Sequence, residues 1–369
     1  MNKTLPKVGI VGISLARGGA ERSIAILSQL LHNFGYDVHL IILTNKIEYE
    51  FSGQLYNLGV EKDKSNKAIS RFKRFKSLRS YLKKEAIDVV IDQRPKNNYL
   101  RELFYAKYLY KGIARIYVVQ NSKAEKYFAS PVSKMLSIYK SNFANVGVSQ
   151  YIYEHLLLGQ GIKNATYIPN TYLENYKSNT SALPAEISRL DDFILFYGRI
   201  DNEHKDLIFL LNAYENSDLH KHKIPLVIMG DGQDKEKIIT YAKQLSCYSS
   251  LIFLGFNKHP FTVVKKARAV AITSKFEGFP LVIIETLSVG TPVVSLDFIS
   301  GPSEVIQNKK NGLLIKNRSV KDFALALNEI CFNEDLYQCC KKNASSSVEE
   351  YSEKAVAKKW HSLLQDFLN

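Results

Sequence analysis

Two glutamates separated by seven residues stand in the most informative stretch of the sequence. Glu277 precedes a segment whose Pro280 and Gly290 are typical of the start and the end of a short helix, and Glu285 lies inside that segment. Eight residues correspond to roughly 800° of helical rotation, about 80° from the same azimuth, so both carboxylates can face one ligand. Carboxylates accept hydrogen bonds from paired hydroxyls such as those of ribose and hexose rings. The spacing therefore predicts a site for a ligand that contains sugar rings.

The start of the same predicted helix is suited to an anion. Backbone N–H groups around Phe279 and Leu281 have no partner within a helix that begins there, and we expect them to point at a ligand. The positive end of the helix dipole then favours an anion or an oxygen-rich sugar. One short segment thus combines donors for oxygen atoms with two carboxylates that accept from hydroxyls.

Two series of short apolar runs supply the elements that must position these residues. In the first series, a run with β-branched residues is followed by the Gly18-Gly19 turn, a helical pattern and a second run, which indicates a βαβ unit and a parallel sheet. The second series has the same character. The runs of the first series are 8–14, 38–43, 89–91, 116–119 and 145–148, and those of the second are 193–197, 226–229, 251–254, 269–273 and 292–295.

A polar segment without periodicity, residues 175–184, separates the two series. A chain of 369 residues exceeds the usual size of one domain, so we predict an α/β protein with two Rossmann-like domains. The N-terminal domain spans 1–178, the C-terminal domain spans 186–350, and 351–369 form a closing helix. Ligands of such sheets bind beyond the carboxyl ends of the strands, which predicts a cleft that the two domains face.

Residues 276–285 read Phe-Glu-Gly-Phe-Pro-Leu-Val-Ile-Ile-Glu and resemble the signature of the retaining family 4 glycosyltransferases, in which seven residues separate two glutamates. Those enzymes have the GT-B fold, which is built from two Rossmann-like domains. Further segments resemble the family in the same order along the chain, and several ordered motifs are far more specific than one. These segments are 18–21, 198–205, 230–232, 254–256, 300–306 and 311–314. The resemblance covers nearly the whole chain and is strongest over 193–314.

The resemblance implies a role for each charged residue of the site. Glu285 would bind the ribose hydroxyls, and Glu277 would bind the hydroxyls of the donor sugar. Arg199 and Lys205 would neutralise the diphosphate and stabilise it as a leaving group, and with Glu277 they form the predicted catalytic set. The other positions predicted to contact the donor are Gly18, Gly19, Gly198, Gly230, Phe256, Gly278, Phe279, Pro280 and Leu281.

The resemblance also implies the course of the reaction. A hexose or N-acetylhexosamine moves from a UDP-sugar, which serves as co-substrate, to a glycan acceptor, and its anomeric configuration is retained. Attack comes from the front face, a donor phosphate oxygen helps to take the acceptor proton, and no covalent nucleophile takes part. The sequence has no Asp-x-Asp triplet, and its four cysteines show no paired CxxC spacing. We therefore expect neither a metal ion nor another cofactor.

The N-terminal half departs from the family pattern near the acceptor. Many relatives carry a histidine in the loop after a middle strand, whereas residues 119–122 read Val-Gln-Asn-Ser here. Assistance from a histidine is therefore not expected. Two alternatives remain open for Asp92, Arg94, Gln120 and Asn121: they line an acceptor site, or they are ordinary polar loop residues.

The excess positive charge of the chain, +14, lies entirely in its N-terminal half. Residues 1–185 carry 27 Lys and Arg against 13 Asp and Glu, whereas residues 186–369 carry 23 of each. Ten basic residues fall within 62–84, around apolar residues at spacings near three and four, which is the pattern of a basic amphipathic helix. Those apolar residues are Phe72, Phe75, Leu78, Tyr81 and Leu82. Such a helix either binds anionic lipid head groups or presents a solvated surface.

From this charge and the resemblance we predict an acceptor that is an oligosaccharide or is linked to a lipid, in capsule, O-antigen or lipopolysaccharide synthesis. The sequence shows neither a leader pattern nor an apolar run of about 18 residues, so we expect a cytoplasmic protein that is peripheral on the inner face of the membrane. Nucleic acid is not an expected partner, because no recognised nucleic-acid-binding signature accompanies the basic residues.

Two alternatives of other classes stay open. One is a GT-B sugar-nucleotide epimerase, which would convert the donor without an acceptor. The other is a non-catalytic basic module that binds a membrane surface or nucleic acid and has the fold without the chemistry. The joint presence of Glu277, Glu285, Arg199 and Lys205 argues against the non-catalytic module.

Overall fold

Short apolar runs form the strands of two separate parallel sheets, as the sequence predicts. The residues that the computed structural model describes are 5–16, 18–64, 68–174 and 182–368. The chain divides into two units: unit 1 comprises Met1–Thr171 with Glu353–Asn369, and unit 2 comprises Tyr172–Ser352. Within the segment predicted to separate the domains, residues 175–181 lie outside the described residues.

The sheet of unit 1 contains seven parallel strands. They are β1 (Val8–Gly12), β2 (Val38–Ile42), β3 (Gln54–Asn57), β4 (Val89–Asp92), β5 (Ala114–Val119), β6 (Ala144–Gly147) and β7 (Ala165–Tyr167). Their order in the sheet is β3-β2-β1-β4-β5-β6-β7. The sequence did not predict β3 and β7, which are the two edge strands. Edge strands are less buried than central ones, and here both are at most half-buried, so neither reads as an apolar run.

Helices connect most of these parallel strands, whereas residues 43–53, between β2 and β3, contain no helix. The first five helices are α1 (Gly19–Asn33), α2 (Leu58–Lys64), α3 (Ala68–Lys84), α4 (Tyr99–Phe104) and α5 (Val132–Lys140). Two π-helical turns, Tyr105–Leu109 and Ile152–Leu157, and two 3-10 helices, Ala124–Lys126 and Leu158–Gln160, also lie in this unit. The N-terminus of α1 directly follows Gly18, at the end of the glycine turn predicted from the sequence.

The described residues of the basic segment 62–84 fall in two helices. Its first residues belong to α2 and its last residues form α3, while residues 65–67 lie outside the described part of the chain. Phe72 is 60% exposed. The other four apolar residues of the predicted pattern are buried in the core of unit 1 or pack against it, namely Phe75, Leu78, Tyr81 and Leu82. The protein itself therefore covers most of the apolar face of α3.

The sheet of unit 2 contains six parallel strands. They are β8 (Ile194–Tyr197), β9 (Leu226–Met229), β10 (Leu251–Leu254), β11 (Ala269–Ile272), β12 (Val293–Leu296) and β13 (Gly312–Ile315), of which only β13 was not predicted as a strand. Their order is β10-β9-β8-β11-β12-β13. The chain runs outward from β8 through β9 and β10 and then returns to place β11 beside β8. Doubly wound sheets bind ligands beyond the carboxyl ends of the strands at such a switch point.

The described residues of unit 2 form nine further α-helices. They are α6 (Ala185–Ser188), α7 (Asn202–Lys205), α8 (Leu207–Glu215), α9 (Lys235–Ala242), α10 (Phe261–Lys266), α11 (Leu281–Ser288), α12 (Pro302–Val305), α13 (Val320–Phe332) and α14 (Glu334–Ala344). The predicted helix between the two glutamates is α11, which begins immediately after Pro280. Across the ranges that the structure describes, no helix has the length and apolar composition that a membrane crossing needs.

The last helix, α15 (Glu353–Asp366), belongs to unit 1, although the helices before it belong to unit 2. It buries Val356, Trp360 and Leu364. Nδ1 of His361 lies 2.8 Å from the hydroxyl oxygen of Tyr36 in unit 1. Both ends of the sequence therefore contribute to unit 1.

Candidate active site

An ion pair joins the loops that follow the neighbouring strands β8 and β11. Nζ of Lys205 is in direct contact with Oε1 of Glu277, and the two side chains are 19% and 21% exposed. The hydroxyl of Ser274 donates to the same carboxylate oxygen at 3.0 Å. The structure thus brings together two of the three predicted catalytic residues at the switch point of the sheet in unit 2.

The short helix α7 determines where Lys205 lies. Asp201 caps the start of this helix, because its carboxylate accepts a hydrogen bond from the backbone N–H of His204. Asp206 ends it with a left-handed backbone conformation, φ 51°. The hydroxyl of Thr273, at the end of β11, donates to the carbonyl of Lys205 at 2.9 Å. Both ends of the helix are therefore fixed, and Lys205 is its last residue.

Arg199 lies on the same loop as Lys205 and is the more accessible cation. Its side chain is 53% exposed and forms a loose ion pair with Asp201, with 3.5 Å between Nη2 and the carboxylate oxygen. The backbone next to Arg199 is bonded to the end of β9, because the N–H of Gly198 donates to the carbonyl of Met229 at 3.0 Å. A Cβ atom on Gly230 would lie 1.9 Å from the carbonyl oxygen of Gly198. The predicted glycine at 230 therefore serves close backbone packing beside Arg199.

Asp201 is a buried acid that contacts both Arg199 and His204. Burial alone would raise the pKa of its carboxyl, but the imidazole of His204 at 2.8 Å and the guanidinium of Arg199 outweigh that effect and lower it. Asp201 therefore stays ionised at neutral pH. The ring of His204 also packs edge-on against Phe276, with 4.7 Å between ring centroids. Asp201 was not among the predicted site residues, although an acid at the N-cap of a short helix is a recognisable signal.

The loop after β12 fixes the start of α11. A Cβ atom on Gly301, whose φ is 121°, would lie 2.2 Å from Cδ of Pro280, and the hydroxyl of Ser300 donates to the carbonyl of Gly278. The side chains of Phe279 and Leu281 are buried, with exposures of 6% and 8%. These contacts hold the turn that connects Glu277 to α11.

The backbone of this turn differs from the expectation in one respect. The N–H of Leu281 donates to the carbonyl of Phe279 at 3.0 Å, so the turn itself uses a group that we expected to point at a ligand. The phenyl ring of Phe279 packs against Tyr351, with 5.4 Å between the ring centroids. The side chain of Phe279 is therefore part of the core, and only backbone groups of this turn offer donors to a ligand.

Glu285 lies inside α11 with its side chain almost completely buried, at 1% exposure. The hydroxyl of Tyr197 at the end of β8 donates to the carbonyl of Val282 at 3.3 Å and lies 3.1 Å from Oγ1 of Thr286. These bonds attach α11 to the strand that precedes the Arg199 loop. Glu285 thus lies in α11, the helix that follows the turn after Glu277, and the bonds to Tyr197 fix the position of this helix.

The remaining predicted donor contact of unit 2 is aromatic. Phe256 follows β10 at the carboxyl edge of the sheet, and its side chain is 74% exposed. The turn after β9 is attached to the end of β10, because the N–H of Gly230 donates to the carbonyl of Leu254 at 3.3 Å. An exposed aromatic ring on this edge is available for stacking on a planar ligand.

The other predicted positions belong to unit 1. Gly18 has an extended backbone and accepts a hydrogen bond from the N–H of Arg22 at 3.0 Å, and Gly19 is the exposed first residue of α1. The side chain of Gln120 is buried; it donates to Gln93 at 2.6 Å and accepts from Asn170 at 3.2 Å.

Asn121, the neighbour of Gln120, is half-buried. Its side-chain oxygen accepts a hydrogen bond from the backbone N–H of Lys123 at 3.0 Å. This bond closes a turn of the loop after β5. Gln120 is therefore part of a buried network of side-chain amides. Asn121 stabilises the turn that leads to Lys123.

Asp92 and Arg94 form a buried ion cluster and not an exposed surface. They are 0% and 1% exposed, and the guanidinium of Arg94 also bonds to Glu102 at 3.1 Å. Lys96, likewise buried, donates to the carboxylate of Asp92 at 2.9 Å, and the hydroxyl of Tyr110 donates to it at 3.1 Å. Burial opposes ionisation of Asp92, but the two cations outweigh it and lower the pKa of its carboxyl. These side chains hold the loop after β4, and neither Asp92 nor Arg94 offers free surface to an acceptor.

Besides Asp201, two residues that were not predicted contact the candidate site, namely Ser274 and Arg318. Ser274 could have been found, because a hydroxyl three positions before a glutamate in a loop is well placed to bond to it. Arg318 could not have been found, since it comes from the loop after β13 and bonds to the carbonyl of Ser274 at 2.6 Å. Within the described ranges, no three His, Cys, Asp or Glu side chains are grouped as metal ligands would be.

The chain is similar to known glycosyltransferases in sequence. Residues 185–347 match the family model described as Glycosyl transferases group 1. The Amylovoran biosynthesis glycosyltransferase AmsD of Erwinia amylovora is 25% identical over 360 residues, covering 96% of this chain and 98% of that protein. A second relative, from Campylobacter jejuni, is 27% identical over 383 residues, again covering 96% and 98%. It is the N-acetylgalactosamine-N,N'-diacetylbacillosaminyl-diphospho-undecaprenol 4-alpha-N-acetylgalactosaminyltransferase.

A solved structure shares the fold over the whole length. Anabaena Alr3699/HepE in complex with UDP-glucose aligns with a TM-score of 0.77 at 15% identity, covering 98% of this chain and 100% of that chain. Both sheets, of seven and six parallel strands, are part of this similarity. The predicted fold class of two Rossmann-like domains in the GT-B manner is confirmed.

Proposed function

We propose that this chain, whose residues 185–347 match the family model of the group 1 glycosyltransferases, transfers a hexose or an N-acetylhexosamine from a UDP-sugar to a glycan acceptor. The observation that carries this proposal is the meeting of Lys205 with Glu277 at the switch point of unit 2, with Arg199 on the same loop. A cation pair next to an acid suits a ligand that joins a diphosphate to a sugar. Both full-length relatives are named as transferases, which favours transfer over an epimerase.

In this proposal Arg199 and Lys205 bind the diphosphate. The guanidinium of Arg199 is exposed enough to receive a ligand, and its loose contact with Asp201 offers little competition. Lys205 brings a compact charge close to the sugar end. As the bond between the sugar carbon and the phosphate oxygen breaks, negative charge grows on the UDP, and fixed cations stabilise it without reorganisation.

Glu277 and Glu285 are proposed to hold the two sugar rings of the donor. Glu277 accepts hydrogen bonds from hydroxyls of the transferred sugar once its contact with Lys205 has rearranged. Glu285, which is only 1% exposed in this structure, accepts from the ribose hydroxyls after a rearrangement that opens its carboxylate to the ligand, and the exposed ring of Phe256 stacks on the base. The turn at Gly278 supplies backbone donors, and Gly18 and Gly19 of unit 1 stay predicted contacts of the phosphates.

We propose that the transfer retains the anomeric configuration and needs no metal ion. The acceptor hydroxyl oxygen forms its bond to the anomeric carbon on the face from which UDP departs, and its proton passes to a donor phosphate oxygen. Arg199 and Lys205 stabilise the negative charge on the leaving group, so this step does not require a metal ion. Turnover should be unchanged in EDTA, and the anomeric proton of the product should show the same coupling constant as that of the donor.

The acceptor is proposed to be a lipid-linked glycan in surface polysaccharide synthesis at the inner face of the membrane. The Campylobacter jejuni relative is named for an acceptor on diphospho-undecaprenol. The basic N-terminal half suits an anionic surface, and around the exposed ring of Phe72 the side chains of Lys73 and Lys76 are exposed too. The apolar face of α3 is already covered, so we expect binding that is mainly electrostatic and weakens with salt.

Liposome binding tests this part of the proposal. Replacing Lys73, Lys76, Lys83 and Lys84, which are all exposed, by alanine should reduce sedimentation with anionic vesicles and leave affinity for UDP unchanged. Arg79 is kept, because its guanidinium donates to the carbonyls of Leu109 and Lys111 and serves the fold. Equal sedimentation of the variant and the wild type would refute membrane docking by this surface.

Thermal unfolding with UDP tests the donor site. UDP at about 100 times its dissociation constant should stabilise the wild type by roughly 2.7 kcal/mol. The Arg199→Ala, Lys205→Ala variant should lose this stabilisation, whereas a Lys237→Ala, Lys243→Ala control with the same loss of charge in unit 2 should keep it. A wild type without any response to UDP would refute the proposal. A mass-spectrometric screen of common sugar nucleotides then identifies the donor.

A further inference from the structure

Arg318 connects the two loops that carry the candidate site. It lies in the loop after β13, and its Nη1 donates to the carboxylate of Asp206 at 2.7 Å. Nη1 also donates to the carbonyl of Thr273 at 3.3 Å, and Nη2 donates to the carbonyl of Ser274 at 2.6 Å. One guanidinium therefore bonds at the same time to the end of α7 and to the residues that follow β11.

Each of these bonds lies next to a residue of the proposed donor site. Asp206 directly follows Lys205 in the chain. Ser274 donates its hydroxyl to the carboxylate of Glu277 at 3.0 Å. The hydroxyl of Thr273 donates to the carbonyls of Lys205 and Asp206 at 2.9 Å and 3.2 Å, which joins the same two loops a second time.

Charge gives Arg318 a second effect on Lys205. The carboxylate of Asp206 is one residue from Lys205, and its side chain is only 13% exposed. Without a partner this acid would compete with the diphosphate for the ammonium group. Arg318 contacts it at 2.7 Å, whereas Lys275 is 3.8 Å away. Arg318 thus supplies the close positive charge that Asp206 needs.

We propose that Arg318 is a positioning residue of the donor site, which aligns Lys205 with Glu277 and keeps Asp206 from pairing with Lys205. This inference rests on the proposed function, in which Lys205 binds the donor diphosphate. The planar guanidinium carries five N–H donors in a fixed fork and can bind a carboxylate and two carbonyls together. A lysine ammonium has one compact centre and cannot span these acceptors, so Arg318→Lys keeps the charge but loses the alignment.

The test compares UDP affinity by calorimetry in the wild type, Arg318→Ala, Arg318→Lys and Lys316→Ala, the last as an exposed control in the same loop. We expect Arg318→Ala to weaken UDP binding about tenfold, Arg318→Lys to weaken it severalfold, and the control to match the wild type. Adding Asp206→Asn to Arg318→Ala should recover part of the affinity, because the competing acid is then neutral. A merely structural defect would not be rescued in this way.

The outcomes separate this inference from the proposed function. If the wild type does not bind UDP, both fall. If the wild type binds UDP and Arg318→Ala binds it equally well, only the role of Arg318 is refuted. Should Arg318→Ala fail to fold, Arg318→Lys decides: unchanged affinity for UDP overturns the inference, and a severalfold loss with a melting temperature near that of the wild type supports it.

Discussion

The ammonium group of Lys205 contacts the carboxylate of Glu277, although 72 positions separate the two residues in the chain. The contact exists because the strands before their loops, β8 and β11, are neighbours in the sheet while β9 and β10 lie on the other side of β8. A donor that binds as proposed has to divide this pair, with its phosphates at Lys205 and its sugar at Glu277. The pair therefore competes with the diphosphate for the lysine.

Glu277→Gln should separate binding from turnover. The amide removes the charge that competes for Lys205, and partly exposed ion pairs contribute up to about 1 kcal/mol, so UDP should bind as well as before or up to about fivefold more tightly. Transfer should fall by at least about 100-fold, since the sugar loses its charged acceptor. Calorimetry with UDP and a transfer assay measure the two effects, with exposed Glu203→Gln as the control. Weaker binding of UDP would contradict this account.

The central strands could be read from the sequence because parallel strands buried on both faces appear as apolar runs. All ten predicted runs are strands, and β9 and β10 have the predicted bounds. The edge strands β3 and β7 were missed because residues such as Gln54, Asn57 and Thr166 do not form an apolar run. The outer strand β13 was recognised only as a family segment.

The candidate site was predictable only where its residues lie close together in the chain. The turn from Glu277 to Pro280 carries its own local signals. Arg318 has none, since its role depends on a loop that approaches Ser274 from 44 positions away. In α3 the sequence pattern predicts the apolar face but not what covers it. The burial of that face against the core, as at Leu78, depends on tertiary packing.

Gly230→Ala should destabilise unit 2. The added Cβ atom would lie 1.9 Å from the carbonyl oxygen of Gly198, a backbone atom that cannot move without displacing the Arg199 loop. The cost should be about 1–3 kcal/mol in the free energy of unfolding. Urea denaturation measures it, and Gly255→Ala serves as the control, because a Cβ atom there meets nothing within 4 Å. Equal stability of the two variants would show that the turn after β9 tolerates a side chain.

Lys96→Met should change how stability depends on pH. Burial lowers the pKa of the Lys96 ammonium group to about 8, despite the opposing effect of Asp92. In the unfolded chain the pKa is about 10.4, so between these values the unfolded state binds more protons and stability rises with pH. Wild type should therefore gain about 2 kcal/mol relative to Lys96→Met between roughly pH 7 and pH 9.5.

Urea denaturation across this range measures the difference between the two proteins. Lys84→Met is the matched control, since the side chain of Lys84 is 83% exposed. Its stability curve should run parallel to that of the wild type. A Lys96→Met curve that is also parallel would mean that the buried ammonium group does not titrate near pH 8 in the folded state.

Glu285→Gln should remove the preference for ribose over deoxyribose. A carboxylate can accept from both ribose hydroxyls, and hydrogen bonds to a charged acceptor contribute about 1.5–3 kcal/mol, so wild type should bind UDP at least about tenfold more tightly than 2'-deoxy-UDP. The variant should bind both nucleotides with similar affinity, near that of wild type for the deoxy form. Because the side chain is buried and glutamine has almost the same shape, folding should be preserved, which circular dichroism checks. If Glu285→Gln still discriminated as strongly as the wild type, the carboxylate would not be the ribose ligand and the assignment of α11 to the nucleoside would have to be abandoned.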